Sequence, residues 1–255
     1  MLAVTLGLVL ATTLAAAAPS TRATLTSERQ LPVFANQGIA RVPGGWILTG
    51  NLLMTRVDNQ LRAKVTNPLA IPTKLRAQGY GHIGDIDVVG NFVYAPLEQR
   101  DYTRGQQVTA RYDARTLKFI DAVVLAQHEN SFVTVDPKTM IAYSFDNFGA
   151  DSVLRYDVRH GWKPLAPLAM SRFVDKAQGG DVADGALWLS TSDATNELFR
   201  VDLLTGIVDD LGSAGHVGGE GEGIDATKLA SGRVHTLTID AANAPVWLGN
   251  FAIAG

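Results

Sequence analysis

The feature that most constrains the fold is a short motif that recurs through the chain. Arg-x-Asp stands at residues 56–58, 111–113, 155–157 and 200–202, so that successive arginines are 55, 44 and 45 residues apart. A second series, in which a small or polar pair precedes an apolar residue, stands at 37–39, 84–86, 130–132, 180–182 and 222–224. Turn residues and an apolar segment separate the two series. Each unit is therefore predicted to contain four short strands joined by turns.

Five units of this length predict an all-β fold of the β-propeller type, with one four-stranded blade per unit. Helical repeats of similar length would show a 3.6-residue periodicity, which these units lack. We expect a single domain over residues 24–255 with five blades, and six blades as the alternative. An open β-sandwich is another all-β arrangement, but it gives no reason for a periodic Arg-x-Asp. The longer first step is attributed to an insertion at residues 98–107.

The fifth unit is incomplete, because Val-Trp-Leu at residues 246–248 stands where the tripeptide is expected. We expect residues 24–34 to supply its outer strand, which would close the ring and leave no exposed sheet edge. Within the tripeptide, the aspartate is expected to cap the following turn and the arginine to pack over a neighbouring blade. Both are interpreted as parts of the architecture.

The first 18 residues are apolar or hydroxylic, carry no charge and end in four alanines. This pattern predicts a signal peptide at residues 1–18, although the usual positive residue before Leu6 is missing. An uncleaved membrane anchor is the alternative, and the segment is barely long enough for it. We therefore expect a secreted, extracellular protein that has no membrane association after cleavage.

Composition narrows the chemistry that the chain can perform. The absence of cysteine excludes disulfides, thiolate metal ligands and a thiol nucleophile, so that any chemistry depends on oxygen and imidazole groups. The 22 basic and 25 acidic residues give a net charge of −3 without long runs of either sign. Such a surface argues against a nucleic-acid partner. We expect a monomer.

Polar side chains open every predicted inner strand. They are Gln37, Asp85 with Asp87, Glu129 with Asn130, Asp181, and Glu220 with Glu222. In a propeller these strand ends converge at one mouth of the central channel, where a small-molecule or peptide ligand is expected to bind. Carboxylate and amide oxygens suit a hard cation such as Ca²⁺. The alternative is a water-filled funnel without a metal.

Three histidines precede inner strands and are expected at the same mouth. They are His82, His128 and His216. A histidine beside a carboxylate can act as a general base near neutral pH, and the alternative for each is an ordinary loop histidine. No Gly-x-Ser-x-Gly occurs, which removes a nucleophile elbow. The glycine-rich segment 215–223 lacks the Lys-Ser or Lys-Thr of a phosphate-binding loop.

The segments 82–87, 130–137 and 220–225 resemble those of calcium-dependent propeller hydrolases, the gluconolactonase and paraoxonase-like enzymes. The resemblance implies a set of calcium ligands, namely Asp85, Asn130, Asp181 and Glu222. It also implies a catalytic set in which His82 or His128 is the base and Asp85 stands beside them. The five-unit spacing, Gln37-Gly38 and the segment 112–117 are similar to the glutaminyl cyclotransferases, whose catalytic glutamate lies in a Gly-Glu-Gly-Leu motif of the second unit. Here that unit has Gly84-Asp85-Ile86.

These observations lead to three hypotheses about function. The first is a metal-assisted hydrolase that acts on a small ester or lactone at the channel mouth. The second is a non-catalytic module that binds a ligand, peptide or glycan there. The third is an acyl transfer like that of the glutaminyl cyclotransferases. The metal-dependent form of the first requires that the four implied calcium ligands converge on one ion.

Overall fold

The computed structural model describes residues 21–146, 148–240 and 245–254, which form five small antiparallel sheets arranged as a five-bladed β-propeller. The predicted fold class and the count of five blades are therefore confirmed. The signal peptide predicted at residues 1–18 lies outside the described residues. Over the described ranges, the helices are too short or too polar to span a lipid bilayer.

The strands follow the chain blade by blade after β1 (Arg22–Leu31), which belongs to the last blade. Blade 1 contains β2 (Ile39–Val42), β3 (Gly45–Thr49), β4 (Met54–Asp58) and β5 (Ala63–Asn67). Blade 2 contains β6 (Tyr80–Ile83), β7 (Asp87–Val89), β8 (Phe92–Gln99), β9 (Gln107–Asp113) and β10 (Phe119–Leu125). Strands β6 and β7 both pair with β8 and together form the inner strand of blade 2.

The other three blades repeat the pattern without that interruption. Blade 3 contains β11 (Thr134–Val135), β12 (Ile141–Ser144), β13 (Ala150–Asp157) and β14 (Lys163–Val174). Blade 4 contains β15 (Ala177–Ala183), β16 (Ala186–Thr191), β17 (Glu197–Asp202) and β18 (Val208–Ser213). Blade 5 contains β19 (Glu220–Asp225), β20 (Arg233–Ile239) and β21 (Val246–Ala254), and β1 is its outer strand.

Short helices occupy some of the connections. The only α-helix in the described chain, α1 (Thr73–Arg76), lies between blades 1 and 2, and single 3₁₀ turns lie at Tyr102–Arg104, Val158–His160 and Leu229–Ser231. The extra length between the first two arginines thus has two sources. One is the predicted insertion, which is the connection between β8 and β9, and the other is the connection that carries α1.

The ring is closed by the N-terminal strand, as the sequence predicts. Strand β1 pairs antiparallel with β21, from Arg22 opposite Ala254 to Leu31 opposite Val246. The pairing begins two residues earlier and ends three residues earlier than the predicted 24–34. Because the outer edge of blade 5 is covered by the opposite end of the chain, ring closure joins the two termini of the domain without a disulfide.

The Arg-x-Asp repeat is structural, but only half of its predicted role is confirmed. Asp113 accepts hydrogen bonds from the amides of Arg115 and Thr116, and the other three aspartates cap their turns in the same way. The polar partners of the four arginines lie in their own blades, and Arg111 also borders a cleft that it shares with residues 158–162 of blade 3. Arg111 pairs with Asp121 of its own outer strand, because a side chain on the third strand of a twisted sheet lies directly beside the fourth.

The hydrophobic core is divided among the junctions between blades. Five clusters of buried apolar side chains occur in the described chain, one at each of the five junctions. In the cluster between blades 3 and 4, for example, Phe132 and Tyr143 pack with Leu187 and Phe199. The alternating apolar residues of each blade are therefore buried by the next blade, as expected for a repeat unit that cannot bury its own face.

One buried carboxylate lies at the centre of the ring. Oδ1 of Asp85 accepts hydrogen bonds from the amides of Ile39 at 2.9 Å and Ile86 at 3.1 Å. Oδ2 accepts from the amides of Gly180 and Ile224, both at 3.1 Å. The backbone of Asp85 also pairs with blade 3 through Ser131 and Phe132. This residue therefore binds all four other blades.

Glycine is required where the inner strands approach this centre. A Cβ atom on Gly223 would lie 2.6 Å from Oδ1 of Asp85, and one on Gly84 would lie 2.0 Å from the carbonyl oxygen of Ser131. Real Cβ contacts are not this short, so any larger residue would push the strands apart. This explains why small residues stand beside the polar ones in the inner-strand series.

A belt of side chain to backbone hydrogen bonds surrounds the channel below this point. Val135 N donates to Asp87, Val182 N to Thr134, Ala226 N to Asp181 and Arg41 N to Asp225. Each bond joins the inner strand of one blade to that of the next. Burial raises the pKa of Asp87 to about 6 and raises the pKa of Asp181 well above its usual range, with the neighbouring carboxylates contributing to both.

We predict that Asp85→Asn destabilises the fold by about 3 kcal/mol or more, because an amide NH₂ would replace one of the two acceptors and leave buried backbone donors unpaired. Equilibrium denaturation in urea measures the loss. The control is Asp151→Asn, which makes the same substitution at an exposed aspartate. Its free energy of unfolding is expected to stay within about 0.5 kcal/mol of the wild-type value. Equal stability of the two variants would contradict the central role of Asp85.

Candidate functional site

A cavity of about 430 Å³ opens at the end of the propeller where the inner strands begin. Its lining includes Gln37 from the entrance to blade 1, His82 and Glu98 from blade 2, and Glu220 and Glu222 from blade 5. The position of the ligand site expected from the sequence therefore coincides with a real cavity. The connection between β8 and β9 contributes a wall through Arg100 and Tyr102.

His82 is held at the inner end of this cavity by a buried carboxylate. Its Nδ1 lies 2.9 Å from Oε2 of Glu98, and the Glu98 side chain is only 2% exposed. The other oxygen of Glu98 accepts a hydrogen bond from the backbone amide of Asn130 at 2.7 Å. On the opposite side of the imidazole, Nε2 lies within hydrogen-bonding distance of Oε1 of Gln37. The ring is thus fixed in orientation from both sides.

Strand pairing explains how His82 and Glu98 meet. Residue 82 lies in β6 and is paired directly with residue 98 in β8, so both side chains project from the same face of blade 2. From the sequence, Glu98 is predicted only as the start of an insertion, and its contact with His82 is not predicted. The available signal is a single acidic residue directly after the apolar segment 92–97.

Two glutamates of blade 5 form the second acidic group in the cavity. Glu220 is exposed, whereas Glu222 is 5% exposed and hydrogen bonds with Glu220. Burial raises the pKa of Glu222 well above its usual range, and the charge of Glu220 raises it further. The two residues are two positions apart in β19, and both side chains line the cavity.

Ionisable groups at the rim are also shifted by their surroundings. Burial raises the pKa of Tyr102 to about 12, with contributions from Glu98 and Glu129. Burial likewise raises the pKa of Glu129 to about 7, although its carboxylate accepts a hydrogen bond from the Phe148 amide. The Tyr102 and Phe148 rings meet edge to face at 5.9 Å, which ties the blade 2 insertion to blade 3.

The side chains implied as calcium ligands are mostly committed to protein partners. Both oxygens of Asp85 accept backbone amides, Oδ1 of Asn130 accepts from the Ser144 hydroxyl, and Oδ2 of Asp181 accepts from the Ala226 amide. Glu222 alone of the four lines the cavity. In the ranges that the structure describes, no three His, Asp or Glu side chains are grouped to hold a metal ion. As arranged here, these four side chains do not fit a shared Ca²⁺ ion. Calcium binding itself is not tested by the structure and stays a prediction from the sequence.

The three candidate histidines do not share one position. His82 lines the cavity, whereas His128 does not line it, is more than half exposed and pairs with Asp146 at 3.1 Å. His216 stacks on Trp247 and pairs with Glu28 of β1 at 2.7 Å, which secures the N-terminal strand. Of the predicted catalytic set His82, His128 and Asp85, only His82 faces the cavity, because Asp85 lies beneath it among backbone amides.

Comparisons with known proteins support the fold only. No protein-family model matches the chain, and no curated protein matches it. A luciferin-regenerating enzyme is structurally similar, with a TM-score of 0.55 and 8% identity over 84% of this chain and 76% of that chain. The hydrazine synthase of Kuenenia stuttgartiensis has a TM-score of 0.50 and 10% identity, and the match covers 82% of this chain and 57% of that chain.

A chain of the mitotic checkpoint complex is similar as well, with a TM-score of 0.50 and 11% identity over 96% of this chain and 73% of that chain. At such low identity these similarities show a propeller-like fold and nothing about activity. They do not confirm the resemblance to gluconolactonase and paraoxonase-like hydrolases or to glutaminyl cyclotransferases.

We predict that Glu222→Gln makes the protein more stable than the wild type at pH 8, with a rise in Tm of about 2 °C or more. The pKa of Glu222 is raised in the folded state, so the folded state holds this proton more tightly and loses stability as the pH rises above about 4.5. The glutamine cannot ionise and avoids that loss. Thermal unfolding between pH 4 and pH 8 measures the difference, which should shrink towards pH 4. If the Tm of the wild type and of Glu222→Gln depended on pH in the same way, the raised pKa of Glu222 would be contradicted.

Proposed function

We propose that this protein hydrolyses a small ester or lactone in the cavity of about 430 Å³ at the channel mouth, here called the mouth cavity, with His82 as the general base. The observation that carries this proposal is the arrangement of His82, whose Nδ1 faces the buried carboxylate of Glu98 while its ring borders the cavity. A carboxylate in this position keeps the proton on Nδ1 and stabilises the imidazolium that forms during reaction. The same arrangement orients histidine bases on unrelated folds.

The proposed reaction requires only water as the second reactant. Nε2 of His82 takes a proton from water while the water oxygen attacks the carbonyl carbon of the ester. The bond from that carbon to the alkoxy oxygen then breaks, and the imidazolium returns the proton to the departing oxygen. An ester gives an acid and an alcohol, and a lactone gives one hydroxy acid.

Gln37 is the residue best placed to assist this reaction. Its carboxamide lies beside Nε2 of His82 and lines the same cavity. This contact is made by Oε1, an acceptor, so Nε2 of His82 donates to it and cannot act as a base while the contact lasts. Catalysis therefore requires that Nε2 releases its proton and that water takes the place of Oε1. The NH₂ group of Gln37 can then donate to the carbonyl oxygen as negative charge develops there. We therefore assign Gln37 the role of a polarising group.

The proposal differs from the sequence hypothesis in that no step uses a metal. The residues implied as calcium ligands do not fit a shared ion, and the proposed base His82 and the proposed polarising residue Gln37 both line the cavity. A propeller of similar shape, the luciferin-regenerating enzyme, is an enzyme by name, which is compatible with catalysis on this fold. Secretion remains a prediction from residues 1–18.

We predict that His82→Ala lowers kcat by about 100-fold or more, because a positioned general base contributes on the order of 10² to 10⁴ in rate. The measurement is hydrolysis of 4-nitrophenyl acetate, γ-butyrolactone and δ-valerolactone in buffer containing EDTA. Glu98→Gln is expected to lower kcat at least about ten-fold, since an amide orients the imidazole but does not stabilise its charge.

The matched control is His160→Ala, because this exposed histidine pairs with Asp157 in blade 3 and does not line the cavity. It should hydrolyse each substrate as the wild type does. If the wild type turns over none of the three substrates, or if His82→Ala is as active as His160→Ala, the hydrolase proposal is wrong. Binding of these compounds without turnover would favour the non-catalytic module.

A further inference from the structure

The mouth cavity contains a buried acidic side chain that the proposed reaction does not use. Glu222 is 5% exposed and lines the cavity, and within the described ranges its carboxyl group receives no hydrogen bond from any N–H donor. Its one side-chain partner is the carboxyl group of Glu220. Every other deeply buried carboxylate near it, such as Asp85 and Glu98, accepts backbone amides. Glu222 therefore has acceptor capacity that nothing in the described protein satisfies.

The backbone of blade 5 directs both glutamates into the cavity. Between them lies Gly221, at which a Cβ atom would stand 2.2 Å from the carbonyl oxygen of Thr191 in blade 4. That side of β19 is therefore pressed against the neighbouring blade. Glu220 and Glu222 both line the cavity, and the pairing of β19 with β20 shifts its register between Gly221 and Ile224.

The charges in the cavity are arranged by depth. The buried part contains the glutamates 98 and 222, of which Glu98 is already paired with His82. The exposed rim contains Arg100 and Lys176, neither of which forms an ion pair with any residue that the structure describes. A cation would be repelled at the rim by these two side chains. Beside Glu220 and Glu222 it would favour the ionised form of Glu222, whose burial otherwise favours the protonated form. This arrangement of charges favours a ligand whose positively charged group binds at the buried end of the cavity.

We propose that the cavity selects esters and lactones that carry a protonated primary amine, with the ammonium group bound between Glu220 and Glu222. This inference rests on the proposed function, since it names the substrate class for the same site. A primary ammonium has three donors and no acceptor, which matches a pair of carboxylates that lacks donors. Its charge would also offset the burial that raises the pKa of Glu222.

The ammonium site and the base are close enough to act on one small molecule. Glu222, Gln37 and His82 line one cavity of about 430 Å³. With the amine at blade 5, the carbonyl group of a short α-amino ester or α-amino lactone would lie towards His82 in blade 2. The inference therefore assigns recognition to blade 5 and chemistry to blade 2.

The test compares α-amino-γ-butyrolactone with γ-butyrolactone, which differ only in the amine, at a pH at which the amine is protonated. The measured quantity is the ratio of their kcat/KM values, and it is compared between the wild type and Glu222→Gln. The intrinsic reactivity of the two lactones cancels in that comparison. We expect the ratio to fall about ten-fold or more in Glu222→Gln, as for loss of a hydrogen bond to a charged group. Glu220→Gln should cause a smaller fall in the same direction.

The control is Asp151→Asn, which removes the same charge from an exposed position outside the cavity and should leave the ratio unchanged. Thermal unfolding of each variant verifies that it is folded. A ratio that is equal in Glu222→Gln and the wild type would overturn the inference.

A parallel measurement separates failure of this inference from failure of the hydrolase proposal. Titration calorimetry compares 3-amino-2-piperidone with 2-piperidone, an unreactive lactam pair that also differs only in the amine. We expect the wild type and His82→Ala to bind the amine member about ten-fold more tightly, and Glu222→Gln to lose that preference. If neither lactone is hydrolysed but this preference is found, the hydrolase proposal fails and the amine site stands. Absent binding, or equal binding of both lactams, overturns the amine site.

Discussion

The structure depends on the hydrogen bonds that converge on Asp85. A carboxyl group removed from water is destabilising unless donors replace the lost hydration, and here four backbone amides offset part of that loss. Burial remains the larger effect and raises the pKa of Asp85 well above its usual range. Because those amides come from blades 1, 2, 4 and 5, the same bonds fix the distance of each inner strand from the axis. The glycines beside them are a consequence, since strands held this close leave no room for a Cβ atom.

This centre also determines where a ligand site can exist. The channel is filled at the level of Asp85, and below it the belt of inter-blade bonds uses Asp87, Asp181 and Asp225. The cavity lies above Asp85, where the inner strands begin. The fold therefore leaves a polar cavity at this end of the channel, lined by His82 of blade 2 and Glu222 of blade 5.

Much of the architecture could be predicted from the sequence because it depends on local periodicity. Alternating apolar residues, turn residues and a period of about 45 residues indicate strands, hairpins and blades, and the incomplete last unit indicates ring closure by the N-terminal segment. The capping role of the aspartate in Arg-x-Asp was equally local, since Asp113 bonds to residues two and three positions later. The polar partner of the arginine was not predicted, because Arg111 binds Asp121 through a register that residue spacing alone does not give.

The sequence by itself determined the fold class, the number of blades, the strand that closes the ring and the end of the channel at which polar residues gather. Only the tertiary structure decided which of those residues face a ligand. Asp85, Asn130 and Asp181 open inner strands just as Glu222 does, yet their oxygens bind the protein while Glu222 faces the cavity. The reason is geometric: position along a strand fixes the height of a side chain in the channel. Whether its oxygens meet an amide or open space depends on other blades, which for Asp85 contribute amides 46, 95 and 139 residues away in the chain.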